Sequence, residues 1–266
     1  MLNQFKKKLW FILYNLLIFT FSKNKLTLFS KLKSDGLKAN ISFPKKYWIN
    51  TSLKTKDEID EAVDELKFIG LPLHPDKQKN WDALSALTLL LNNVKNKNDF
   101  ILDSGGTKYS TILPWLSVYD YQNLYAIDLI FKKKFNIGQI NYIPGDLTKT
   151  SFKDEMFAAI TCLSVIEHGV NLKDYLKESY RILKPGGILI TSTDYWHKKI
   201  NTSNLRAYGH EIKIFSKSEL VEFIKIAKNI GFQVKDNINF DCNEKAVHWR
   251  RINLDFTFHS MMFKKP

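Results

Sequence analysis

The sequence predicts an α/β protein built on a mainly parallel, doubly wound sheet, and three observations predict it. After Asn98 short apolar strands alternate with amphipathic helices. The first of those strands ends in an acid followed by a glycine pair. The final apolar run, residues 254–263, follows the strand candidate 232–235 without an intervening helix, so the chain cannot cross back and the last strand should pair antiparallel. The remaining candidate strands are residues 100–103, 124–128, 140–143, 158–163 and 187–192.

Four helices are legible. Residues 56–70 read as an acidic amphipathic helix closed by Gly70, and residues 80–94 as a second, with Trp81, Leu84, Leu87, Leu90 and Leu91 forming an apolar stripe. LPLHPDKQKN between them is a proline-bearing linker. Asn171 can cap a third helix whose Leu172, Tyr175, Leu176 and Leu183 share a face, before Lys184-Pro185-Gly186-Gly187 stops it. Ser216 and Glu219 form a capping box for a fourth, with Leu220, Phe223, Ile224, Ala227 and Ile230 inward and Gly231 as its end.

At 266 residues and 44% apolar the chain can bury one full core with an appendage. Two cysteines, Cys162 and Cys242, lie far apart, with neither CxxC spacing nor a histidine cluster, so no disulfide framework and no metal site are expected. A reducing cytoplasm fits. The net charge of +13 is uneven: residues 1–56 hold twelve lysines and one acid, Asp35, whereas the other 210 residues hold 28 basic and 26 acidic side chains. The chain beyond residue 56 is nearly neutral, which argues against a nucleic-acid partner.

The division expected is a basic, partly apolar extension over residues 1–55, helical in part, and one domain over 56–266, its core starting near residue 80. Within the extension, residues 9–21 (LWFILYNLLIFTF) are uncharged and flanked by Lys6, Lys7, Lys8, Lys23 and Lys25. As a helix they would extend roughly 20 Å, against a hydrocarbon core of about 30 Å, so they are too short to span. Two readings stay open: peripheral membrane contact through residues 5–25, and a helix packed on the protein's own core.

The chemistry starts at ILDSGGTKYS, residues 101–110, a strand with an acid at its end and then two glycines, where a ligand can approach the backbone. Asp128 closes the next strand, 22 residues after Gly106, where a carboxylate can accept both hydroxyl protons of a ribose. The positions after Gly106 are Thr107, Lys108 and Tyr109, so the G-x-G-x-x-G cradle for a pyrophosphate is missing. NYIPGDLTKTSF, FAAITCLSVIEHG and YRILKPGGILITSTDYW follow in order.

Taken together the series resembles the class I S-adenosylmethionine-dependent methyltransferase superfamily, in particular the type 11-like group with an EH after the fourth strand and RxLKPGG before the fifth. The resemblance covers roughly residues 80–266. It implies a Rossmann-like seven-stranded sheet with an antiparallel last strand and S-adenosyl-L-methionine as cofactor. It implies further that Asp103, Gly105 and Gly106 line the methionine end, that Asp128 binds the ribose, that Asp146 and Leu147 meet the adenine, and that Leu163 and Ser164 close the pocket near the sulfonium. The glycine loop departs from the family pattern, with Thr107 and Tyr109 where glycines are usual.

The acceptor half is less marked. Glu167 and His168 follow the fourth strand at the ligand-binding edge, and Asp194, Tyr195, Trp196 and His197 follow the fifth. The expectation is an O-methylation of a glycan, a lipid-linked sugar of polysaccharide biosynthesis or a small molecule. Its base would be His168 or the pair Asp194 and His197, with Tyr195 and Trp196 stacking on a ring. His210 could belong to a lid, and His248 with Arg250 and Arg251 lies at the surface or meets an anion. A cofactor-binding scaffold without turnover, and an NAD-dependent sugar-modifying dehydrogenase, are the alternatives.

Overall fold

The structure is a computed structural model and describes residues 42–234 and 237–266. Residues 9–21, and with them the membrane-contact reading, lie outside the described residues, as does Lys235. Among the described residues no helix is long and apolar enough to cross a membrane.

The elements follow in chain order: β1 (Thr51–Ser52), α1 (Lys56–Phe68), α2 (Lys79–Asn93), β2 (Phe100–Ser104), α3 (Ile112–Val118), β3 (Asn123–Asp128), β4 (Phe135–Ile137), β5 (Ile140–Pro144), β6 (Phe157–Leu163), α4 (Leu172–Ile182), β7 (Leu183–Tyr195), β8 (Arg206–Ala207), β9 (His210–Glu211), α5 (Lys217–Ile230), β10 (Gln233–Val234), β11 (Val247–Trp249) and β12 (Leu254–Lys264). The sheet runs β1-β12-β7-β6-β2-β3-β5-β4. Its centre is parallel: β2 pairs with β3 and β6, β3 with β5, and β6 with β7. β12 is antiparallel to β7 along eight residue pairs and antiparallel to β10, as the missing crossover helix requires.

The sheet has ten strands, against the seven implied by the resemblance. The additions are short: β1, β4 and β11 each hold two or three residues and borrow their register from a longer neighbour. The turn Lys184-Pro185-Gly186-Gly187 is also not a loop before the fifth strand. α4 passes directly into β7 at Leu183, and Gly186 takes a φ of +79° inside the irregular start of the strand. β7 continues three residues past the expected Ser192, to Tyr195.

The caps form as the sequence indicates: Asn171 Oδ1 accepts from Asp174 N at 3.2 Å, and Ser216 with Glu219 completes the capping box of α5. α2 differs more. Its expected stripe is a whole buried circumference, since every residue from Asn80 to Leu91 is buried, polar ones included. Their hydroxyls are satisfied, whereas the Trp81 indole N–H has no partner among the described residues. Thr88 Oγ1 donates to Leu84 O (2.9 Å) and also lies 2.8 Å from Lys46 O, and Ser85 Oγ donates to Trp81 O (2.9 Å) and accepts from Trp48 N (2.9 Å). The described part of the 1–55 extension is thereby strapped across α2, with Trp48 stacked on Trp81 at 6.0 Å and β1 joined to the edge of β12.

Candidate functional site

Parallel pairing of β3, β2, β6 and β7 sets their carboxyl ends side by side, and most of the residues singled out above sit there. The turn after β2 is built by close approach. Gly105 has a φ of +77°, donates its N–H to Ile127 O at 2.8 Å, and leaves no room for a Cβ, which would stand 2.5 Å from Val165 Cγ2. A Cβ on Gly106 would stand 2.3 Å from Asp103 Oδ2. The glycines are needed because Val165 and Asp103 press on the turn.

Asp103 itself is 3% exposed, and its two oxygens accept from Ser110 Oγ (2.6 Å) and Thr161 Oγ1 (2.7 Å). Burial pushes its carboxyl up to about 6, against those two hydrogen bonds. It therefore braces the turn from beneath. Beside it the buried hydroxyl oxygens of Thr107 and Thr111 have no partner among the described residues. Asp128, half-buried at the end of β3, accepts from Ile130 N at 2.7 Å through Oδ1, and burial raises its carboxyl. Leu129 and Ile130 next to it are 65% and 68% exposed, an apolar step beside a carboxylate. Asp146 is exposed and accepts from Thr148 N and Oγ1 at 2.8 and 2.7 Å, while Leu147 is half-buried.

Ser164 follows β6 with a φ of +54°, a left-handed conformation that costs a non-glycine residue about 1–2 kcal/mol. Leu163 before it is half-buried and pairs with Ser192 of β7. A group of buried carboxylates stands next to them. Asp82 and Glu167 are 1% exposed and Asp194 is 5% exposed. Ser192 Oγ donates to Asp82 Oδ2 at 2.6 Å, and Thr193 Oγ1 to Glu167 Oε2 at 3.0 Å. Burial raises all three and Glu167 raises Asp194 further, while the charge of Lys79 works in the opposite direction on each.

The structure corrects two expectations about the acceptor half. Asp194 and His197 do not form a pair: Asp194 is buried beside Glu167, whereas His197 is exposed, its ring 4.4 Å from that of the half-buried Trp196 and its Nδ1 3.8 Å from Cys242 Sγ. Tyr195 faces no substrate. As the last residue of β7 it is fully buried, its hydroxyl donates to Phe240 O at 2.9 Å, and its ring packs on His259.

His168 is placed differently from both. Its Nδ1 is buried and has no partner among the described residues, and its ring meets Tyr208 edge-on at 5.4 Å and Trp249 at 6.0 Å. Burial, with Lys79, His210 and Arg251 adding repulsion, holds its imidazole down at about 4, so it is neutral at neutral pH. Tyr208 sits at the tip of the β8–β9 hairpin, half exposed, with the Arg251 guanidinium 4.4 Å from its ring centre. His210, expected as part of a lid, lies in that same hairpin. The sequence reading missed Asp82, Tyr208 and Trp249. Asp82 could have been noticed as a lone carboxylate inside WDALSALTLLL, a run too apolar for a solvated face.

The profile described as methyltransferase domain matches residues 104–191. Over this stretch, a third of the chain, the protein is similar to the methyltransferase domain family. Among curated relatives, the sterol 24-C-methyltransferase of Candida albicans is 26% identical over 129 residues, 45% of this chain and 34% of that protein. Its counterpart in Saccharomyces cerevisiae is 25% identical over 128 residues, 45% of this chain and 33% of that protein. The chain thus spans a third of the length of these relatives. An S-adenosylmethionine-dependent methyltransferase structure from Mesorhizobium loti is similar at 12% identity over 69% of this chain and 98% of that one, with a TM-score of 0.49.

Proposed function

We propose that the chain is an S-adenosylmethionine-dependent methyltransferase acting on a hydroxyl of a glycan, a lipid-linked sugar or a small molecule. The observation that carries the reading is spatial: the glycine turn, Asp128 and Ser164 stand on adjacent parallel strand ends within the matched domain. The residues present suit the cofactor. Asp128 offers a carboxylate to a ribose diol, Leu129 and Leu147 offer apolar surface to the adenine with Asp146 as acceptor for its amine, and the unpartnered Thr107 and Thr111 hydroxyls face the demand of an amino-acid end for polar contacts. Leu163 and Ser164 lie toward the sulfonium, which when bound supplies an electrophilic methyl group.

The chain's own part is alignment and proton removal. Holding acceptor and methyl group in line in a water-poor site is worth about 7–11 kcal/mol. His168, whose Nδ1 has no partner among the described residues, is the group proposed to take the acceptor proton, a contribution of about 10²–10⁴-fold; the burial that keeps it unprotonated beforehand also weakens it as a base. Binding without turnover is the second reading, favoured by Asp103 and Val165 pressing on a loop that holds Thr107 and Tyr109 in place of glycines. Peripheral membrane contact through residues 5–25 would bring a lipid-linked acceptor to the site.

Calorimetric titration with S-adenosylmethionine and with NAD tests the cofactor, and binding of NAD alone would reject the reading. Mass spectrometry of glycans and lipids from a deletion strain tests the acceptor. One product lighter by a single methyl substitution is the expected result.

A further inference from the structure

We infer that Asp82, on α2 and outside the matched stretch, is a positioning residue of the cofactor site: through Ser192 it fixes the left-handed backbone turn at Ser164. The inference rests on the cofactor reading proposed above.

The turn is held by a short chain of hydrogen bonds. Ser164 N donates to Ser192 O at 3.0 Å and lies 3.2 Å from Ser192 Oγ. Ser192 Oγ donates in turn to Asp82 Oδ2 at 2.6 Å, and the Ser164 hydroxyl lies 3.5 Å from the same oxygen. Direction follows from chemistry. A carboxylate can only accept, so the Ser192 proton points at Asp82 and the lone pairs of its oxygen are left for the Ser164 amide. Without Asp82 that hydroxyl could turn over, and the strained φ of Ser164 would keep only the amide bond to Ser192 O.

As an acid in the first turn Asp82 suits the amino end of α2, but that does not explain its depth in the fold. The residue is 1% exposed between Trp81 and Ala83, in a helix that is buried all round, where a carboxylate suffers desolvation that an apolar side chain would not. Lys79 and the Ala83 amide of α2 attract its charge, but its side-chain partners Ser192 and Ser164 are not on that helix. They lie at the carboxyl ends of β6 and β7, where Ser164 is the residue proposed to border the sulfonium.

The test is titration of the full chain with S-adenosylmethionine. Ser192→Ala and Asp82→Ala should each weaken binding about tenfold, and the double variant should be no weaker than the weaker single one, because both break one chain of bonds. Asp82→Asn keeps an acceptor oxygen and should stay within about twofold of the parent. Ser85→Ala, which removes a buried hydroxyl from the same helix that bonds only Trp81 O and Trp48 N, should lower the melting temperature and leave affinity unchanged. If Asp82→Ala fails to fold, Ser192→Ala and Asp82→Asn decide alone. Affinity unchanged in Ser192→Ala, or weakened as much by Ser85→Ala, would overturn the role. A parent chain that binds no S-adenosylmethionine would refute the cofactor reading and this role with it, whereas a binding parent with unaffected variants refutes the role alone.

Discussion

The strand ends of β2, β3 and β6 and the segment that follows β7 border the same edge of the sheet but are organised in opposite ways. In the first region, continued by the turn after β5, three carboxylates each accept a bond from their own turn, Asp103 from Ser110, Asp128 from Ile130 and Asp146 from Thr148, with Thr161 adding one long-range bond to Asp103. In the second, three separate stretches of chain meet around one ring: His168 after β6, Tyr208 in the β8–β9 hairpin, and Trp249 with Arg251 next to β11. The comparison teaches that one half of the site is specified by short sequence and the other by tertiary assembly, and substitutions should separate the two.

The largest separation is expected at His168. His168→Ala should lower kcat by about 10²–10⁴-fold if the imidazole is the base, with cofactor affinity unchanged in calorimetry. An equal loss of affinity would merge the two halves. Asp128→Ala should do the reverse, weakening S-adenosylmethionine about a hundredfold through two lost charge-assisted hydrogen bonds, and equilibrium titration measures it.

Smaller effects fall on stability. Gly105→Ala should cost about 2 kcal/mol in urea unfolding, from the positive φ together with the contact on Val165, and Val165→Ala in the same chain should recover only the steric share. Acid should also destabilise the protein. His168 is depressed from 6.5 to about 4 and His259 to about 3, so the folded chain takes up fewer protons than the unfolded one once the pH drops below 6.5. Stability is therefore full above that pH and falls on the way down. The loss at pH 5 is about 2 kcal/mol per histidine, and unfolding midpoints of His168→Gln should show a shallower decline. Asp103, raised to about 6, works in the opposite sense between pH 4 and 6, losing stability as pH rises. The smallest effect is expected at Tyr208→Ala, about tenfold in acceptor KM with cofactor affinity intact, from one lost aromatic contact.

The same comparison explains what could be read from the sequence. β2, β3, β5 and β6 are apolar on both faces and are bounded by their own turn residues, so their limits were legible to within one residue. The end of β7 was not. Asp194 and Tyr195 are polar-tipped residues after a strand, which reads as a loop, yet pairing with Phe258 and Thr257 of β12 draws both into the sheet. Tyr195 then becomes core. β8, β9 and β11 have no periodicity of their own, since two or three residues cannot show one, and so the aromatic group around His168 stayed invisible. The burial of Asp82 was hidden for a related reason: it depends on Ser192, 110 residues away.

Calorimetry of the full chain with S-adenosylmethionine, run beside Asp128→Ala, tests the central claim most directly. Saturable one-site binding by the parent, lost or weakened about a hundredfold in the variant, is the predicted result. Equal affinity in the two chains, or no binding by the parent, would contradict it.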